Sequence, residues 1–138
     1  MPATAGYSGT PLPKKLGLKD GQHVVFINLP EDLVALKSSA VFASRAATLD
    51  QQTDLDVGHV FSKSKSELAD RLTKARRCIQ PGGMIWAPWP KKASKLPTDI
   101  TEDTIRELAF PLDLVDVKVC AVDAVWSGLK LMIRKEKR

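Results

Sequence analysis

Apolar positions recur along the chain with two different periods, and their alternation predicts strands and helices in turn. The first dense run, His23-Val24-Val25-Phe26-Ile27-Asn28-Leu29-Pro30, is hydrophobic on both faces from Val24 to Leu29, which suits a strand in the buried middle of a parallel sheet. Asp20-Gly21 just before it is a turn dipeptide. Pro11 to Gly17 reads as a short helix, with proline tolerated in its first turn and Gly17 able to supply a left-handed stop. Residues 31–38 read as a second short helix with Glu31 and Asp32 in its first turn, where acids suit the positive end of the helix dipole. Val41-Phe42-Ala43 is a second strand, residues 49–56 a polar connector, and Val57-Gly58-His59-Val60-Phe61 a third strand.

From Ser64 onward the period is helical. Leu68, Leu72, Ala75 and Ile79 fall on one stripe, and Ser64 followed by Glu67 has the pattern of a capping box. Pro81-Gly82-Gly83 is expected to end that helix, and Met84 to Ala87 to form the next buried strand. Thr101 caps a further helix, with Ile100 and Ile105 placed for a hydrophobic staple across the cap. The last two runs, Leu114 to Val122 and Val125 to Ile133, are rich in β-formers and meet at Asp123-Ala124, an antiparallel hairpin. Strands alternating with helices and then a closing hairpin give a three-layer α/β domain with a mixed sheet, helices lying on both faces. The expectation is a single domain over residues 1–138, with residues 1–10 as an N-terminal arm.

Composition adds exclusions. With 138 residues and 43% hydrophobic content the chain can form one packed core, and 27% charged residues is an ordinary globular fraction. No apolar run approaches the roughly 20 residues that span a bilayer, and no signal pattern opens the chain, so a cytoplasmic protein is expected. Cys78 and Cys120 lack metal-like spacing, only His23 and His59 accompany them, and no metal or resident cofactor is expected. Both histidines read as satisfied structural residues.

The net charge of +5 is unevenly spread. Between Arg71 and Lys95 there are Arg71, Lys74, Arg76, Arg77, Lys91, Lys92 and Lys95 and no acid, followed by an acidic stretch and a basic tail. A nucleic-acid-associated protein would show such a footprint, but no basic segment is interleaved with the aromatics that base stacking needs.

Three blocks carry a resemblance: Gly6-Tyr7-Ser8-Gly9-Thr10-Pro11-Leu12, Trp89-Pro90-Lys91-Lys92-Ala93-Ser94 and Trp126-Ser127-Gly128-Leu129-Lys130. Together they resemble a bacterial family of short proteins of unknown function, a likeness that implies nothing about activity. Pro81-Gly82-Gly83 and the terminal hairpin also resemble class I methyltransferases, which implies a Rossmann-like scaffold. That scaffold holds a nucleoside cofactor with a glycine-rich loop after the first strand and an acid further on. Here no glycine follows Leu29 until Gly58, so the cofactor motif is missing. Glu31 or Asp32 could hold a ribose, and each serves equally well as a first-turn helix acid.

The loop after the fourth strand is the leading candidate site, because α/β sheets place ligands at strand ends. Lys91, Lys92, Ser94, Thr98 and Asp99 would form it, with charge from the lysines, hydrogen bonds from the hydroxyls and loop positioning by Asp99. Ser8, Thr10, Trp126 and Lys130 are second contributors. Each also has a plain structural explanation as a loop charge, turn residue or core aromatic. The sequence therefore points to a binding module for a small anionic ligand or a protein partner. A divergent methyltransferase-like enzyme is the alternative, and a nucleic-acid role a further one.

Overall fold

A computed structural model describes residues 10–138. Helix α1 (Leu12–Lys15) leads into β1 (His23–Ile27), and a 3-10 segment (Glu31–Ser38) joins β1 to the short β2 (Ser44–Ala46). Then come β3 (Leu55–Val60), α2 (Lys65–Cys78) and β4 (Ile79–Pro90). The chain closes with α3 (Glu102–Ala109), β5 (Leu114–Ala121) and β6 (Trp126–Ile133). No helix among the described residues is long and apolar enough to cross a membrane.

The six strands lie in the order β2-β1-β3-β4-β6-β5. β1 pairs in parallel with both β2 and β3, and β3 in parallel with β4. β6 runs antiparallel to β4 and to β5, so it alone opposes the rest. This is a Rossmann-like mixed sheet with its antiparallel part at the C-terminus. After β1 the chain steps out to β2, then returns across β1 to build β3, β4 and beyond on the other side. Right-handed crossovers taken in opposite directions put their connecting segments on opposite faces. Accordingly, Leu68, Leu72 and Ala75 of α2 and Ile105 and Ala109 of α3 share one buried cluster with Val25, Val60, Ile85 and Leu131. Leu16, Leu33 and Leu36 share the other with Val24, Phe26, Val57, Trp86 and Trp126. The indole of Trp86 donates to the carbonyl of Leu16 at 2.9 Å, fixing the N-terminal segment to β4.

The caps follow the sequence closely, with one shift. Ser64 Oγ accepts from the Glu67 amide at 3.2 Å, but the Glu67 carboxylate reaches back to the Lys63 amide at 3.2 Å, one residue before the cap. That bond, foremost, holds the Glu67 carboxyl below its ordinary pKa, with the Arg71 charge adding to it. Thr101 and Thr104 form a reciprocal capping box on α3.

Two boundaries differ from expectation. The second strand is Ser44–Ala46, because residues 41–43 are held by the preceding turn: the Val41 amide donates to Asp20 Oδ1 at 2.8 Å, and the Ala43 amide to the Gln22 carbonyl at 2.8 Å. Helix α2 stops at Cys78, and Pro81-Gly82-Gly83 lies inside β4, where the β3 pairing shifts register between Leu55 and Val57. A Cβ on Gly83 would stand 2.7 Å from the Leu55 carbonyl oxygen, so the glycine marks a close approach of two strands rather than a helix stop.

His59 is not the satisfied histidine that its place in the sequence suggests. Its ring stacks on Phe26 at 5.0 Å between centroids, it is 1% exposed, and Nε2 has no hydrogen-bond partner. Burial lowers its pKa from 6.5 to about 3. Between those values the unfolded chain takes up a proton that the folded chain refuses, so stability falls as the pH drops below 6.5. The loss approaches ~1.4 kcal/mol per pH unit from this group. In His59→Leu, urea unfolding at pH 6.5 and pH 5 should show an acid loss smaller by about 2 kcal/mol than in the parent; an equal loss would remove His59 from the account. Gly83→Ala should lower stability by about 1–3 kcal/mol, read as a reduced urea midpoint.

Candidate functional site

The carboxyl ends of β1 and β3 lie side by side where the strand order reverses, and the chain leaves them in different directions. After Ile27, Asn28 takes a left-handed conformation (φ 54°), which asparagine tolerates better than most residues, and Pro30 starts the 3-10 segment that carries Asp32. After Val60, Phe61 and Lys63 lead to the cap of α2. That loop is clamped from the helix: Arg71 Nη1 donates to the Phe61 carbonyl at 2.7 Å and to Ser62 Oγ at 3.2 Å, while Arg71 Nη2 reaches Glu67 at 3.4 Å.

The turn between β5 and β6 returns to the same edge. Asp123 Oδ1 accepts from the amides of Val125 (2.8 Å) and Trp126 (2.7 Å), and this fixes where the tryptophan starts β6. Trp126 meets Phe61 edge to face, 5.2 Å between centroids at 81°. The result is a hollow of about 540 Å³ with Phe61 and Trp126 in its wall, lined also by Asn28, Pro30, Asp32, Lys63, Glu67, Leu96 and Val125. A second hollow of about 570 Å³ adjoins it across Leu96, between Trp89 and the start of α3, with Lys92, Lys95 and Thr98 in its wall.

The residues singled out in the sequence are spread over this edge and beyond it. Lys91 Nζ donates to the Asp123 carbonyl at 2.7 Å, and its amide to the Val125 carbonyl at 2.7 Å, so it staples the β4 loop to the β5–β6 turn. Ser94 Oγ donates to the Lys91 carbonyl at 2.6 Å. Thr98 Oγ1 donates to the Lys63 carbonyl at 2.6 Å, and Asp99 Oδ1 accepts from the Lys65 amide at 2.6 Å, latching the same loop to the start of α2. Lys92 and Thr98 line the second hollow and Trp126 the first. Thr10 lines a third hollow beside β5. Lys130 sits in mid-β6 opposite Trp86 and Lys118, its pKa lowered by burial first and then by the charges of Lys118 and Lys19. Ser8 lies outside the described residues. No group of three or more His, Cys, Asp or Glu among the described residues could hold a metal ion.

Asn28, Phe61, Lys63 and Glu67 were not among the residues marked from sequence as site candidates. Asn28-Leu29-Pro30 held the one available signal, a left-handed-tolerant residue at a strand end followed by a proline.

No protein-family model matches the chain, and no curated protein matches it. Solved structures do. A SAM-dependent methyltransferase from Aquifex aeolicus superposes with a TM-score of 0.60 at 15% identity, over 87% of this chain and 86% of that one. A TehB-like SAM-dependent methyltransferase from Corynebacterium glutamicum gives 0.50 at 12% identity, over 81% and 68%. LepI, solved in complex with SAM, gives 0.55 at 10% identity over 89% of this chain. The chain spans 39% of the length of LepI in that structure. At identities this low the likeness establishes the fold alone, a Rossmann-like sheet of the methyltransferase kind.

The residues at the switch point do not fit a nucleoside cofactor held in the manner usual for such sheets. Glycines normally let the first loop approach the ligand, and an acid further on takes the ribose hydroxyls. Here the loop is Asn28-Leu29-Pro30, and Pro30 has no amide hydrogen to offer. The acid after β2, Asp50, lines a separate small hollow with Asp70, Arg71 and Lys74.

The latch has a measurable consequence. Asp99→Ala leaves the Lys65 amide without its side-chain acceptor and should cost about 1 kcal/mol, seen as a lower urea midpoint with unchanged slope.

Proposed function

We propose that this chain is a divergent methyltransferase-like protein that binds a small molecule of mixed charge, with a flat apolar part, in the hollow at the ends of β1 and β3. The observation that carries this reading is the position of that hollow at the point where the strand order reverses, which is where open α/β sheets bind ligands. Its size, about 540 Å³, is within the range of small-molecule sites. Phe61 and Trp126, themselves buried, supply part of its apolar wall, Lys63 a positive charge, and Asp32 and the Arg71-paired Glu67 negative ones. The Lys63 amide, first of all, lowers the Glu67 pKa and so favours its charged form. An anionic group extending past Leu96 would meet Lys92 and Lys95 in the adjoining hollow.

A second reading, methyl transfer with an adenosyl cofactor held by side chains, is favoured by the likeness to SAM-dependent methyltransferases. Against it stands the first loop, which lacks the glycine cradle.

Calorimetric titration with S-adenosylhomocysteine, adenosine, tryptophan and other zwitterionic aromatic compounds separates the two. The proposal expects saturable binding of at least one compound, weakened about tenfold by Lys63→Ala or Asp32→Ala, equivalent to ~1.4 kcal/mol. If S-adenosylhomocysteine binds and the others do not, the second reading replaces the first. If nothing binds, or if binding ignores both substitutions, the site is elsewhere and the proposal fails.

A further inference from the structure

The third hollow shares no lining residue with the two hollows at the ends of β1, β3 and β4. It measures about 590 Å³ and lies between α1 and the outer strand β5. The described residues that line it are Thr10, Lys14, Lys15, Lys118, Val119, Cys120 and Ala121: three lysines, one hydroxyl, a short apolar wall and no carboxylate. The strand beside it adds a further cation, because Lys130 of β6 is the register partner of Lys118. Like charges directly opposite on antiparallel strands destabilise a sheet.

Among the described residues neither Lys118 nor Lys130 forms a salt bridge. Asp116, two residues from Lys118, is paired with Arg106 at 3.0 Å, and the Asp123 carboxylate accepts from the backbone amides of its own turn. The cost appears at Lys130, whose pKa is lowered by burial and then by Lys118 and Lys19. Lys19 thus also acts on this group. A multiply charged anion would turn the repulsion into attraction, and lysine ammonium groups are common point-charge partners of phosphate.

We propose that this hollow is a binding site for a small ligand carrying a diphosphate group, with its charges between Lys14 and Lys118 of the wall and Lys130 on the same face of the neighbouring strand. A single carboxylate would neutralise only part of this cluster, whereas a diphosphate matches it. The shared chemistry is the diphosphate, whether free or part of a nucleotide.

The test is calorimetric titration of the full chain with sodium pyrophosphate and with ADP at fixed ionic strength. The expected result is saturable, one-site binding, weakened at least tenfold by Lys118→Gln/Lys130→Gln and also by Lys14→Gln on the opposite wall. Lys118→Gln alone should unfold at the same or a higher temperature than the parent, since it removes an opposed charge, and so separates lost binding from lost folding. Lys63→Gln and Lys92→Gln should leave the affinity unchanged. Tighter binding of ADP would identify a nucleotide, and equal binding the diphosphate alone; both support the site. The proposal is overturned if neither compound binds saturably, if the double variant keeps its affinity, or if Lys63→Gln or Lys92→Gln removes binding and so places the anion at the carboxyl edge.

Discussion

The parallel pairing of β1 with β3 is the constraint on which the remaining architecture depends. It brings Val24 to Ile27 alongside Val57 to Val60 in the middle of the sheet, although β2 and its connections intervene in sequence. Parallel neighbours need crossover connections, and crossovers of one hand taken in both directions cover both faces. The same pairing sets the carboxyl ends of two central strands side by side while their following segments diverge. Open α/β sheets form a crevice at that point, and here it is the hollow of about 540 Å³.

The loops then decide what the hollow can hold. At the first strand end, Asn28 supplies the left-handed residue, Leu29-Pro30 replaces a stretch of free amides, and a 3-10 segment replaces a full helix. At the second, Arg71 and Glu67 clamp the turn from within α2. The loop after β4 is tied on both sides, to the β5–β6 turn through Lys91 and to α2 through Thr98 and Asp99. The edge is therefore a set of mutually latched loops around aromatic and charged side chains. It stands where open α/β sheets form their ligand crevice, and its side chains differ from the glycine cradle usual there.

Much of the fold was legible because its signals are local. The apolar run Val24 to Ile27, the stripe Leu68-Leu72-Ala75, the caps at Ser64 and Thr101 and the closing hairpin each follow from near neighbours in sequence. The errors occur where distant residues decide. Pro81-Gly82-Gly83 has the composition of a helix stop, but Gly83 is required by the Leu55 carbonyl, a contact made across two strands. Val41-Phe42-Ala43 has the composition of a strand, yet Asp20 and Gln22 take its amides first. The candidate site was legible as a region and not as a set of side chains. Loop composition identified the β4–α3 connection, but hydroxyls, acids and lysines serve as latches or ligands alike, and only their partners tell which. In the sequence Phe61 reads as a strand end and Glu67 as a cap residue, and neither pattern marks a wall of a hollow.

The most direct measurement is an amide chemical-shift map of the isotopically labelled chain titrated with the tightest ligand found among zwitterionic aromatic and adenosyl compounds. The account predicts saturable shifts centred on Asn28, Phe61, Lys63, Val125 and the Trp126 backbone and indole, fading with distance from the ends of β1 and β3. Shifts centred on another part of the chain, or none at saturating ligand, would contradict the claim that this fold binds its ligand where the strand order reverses.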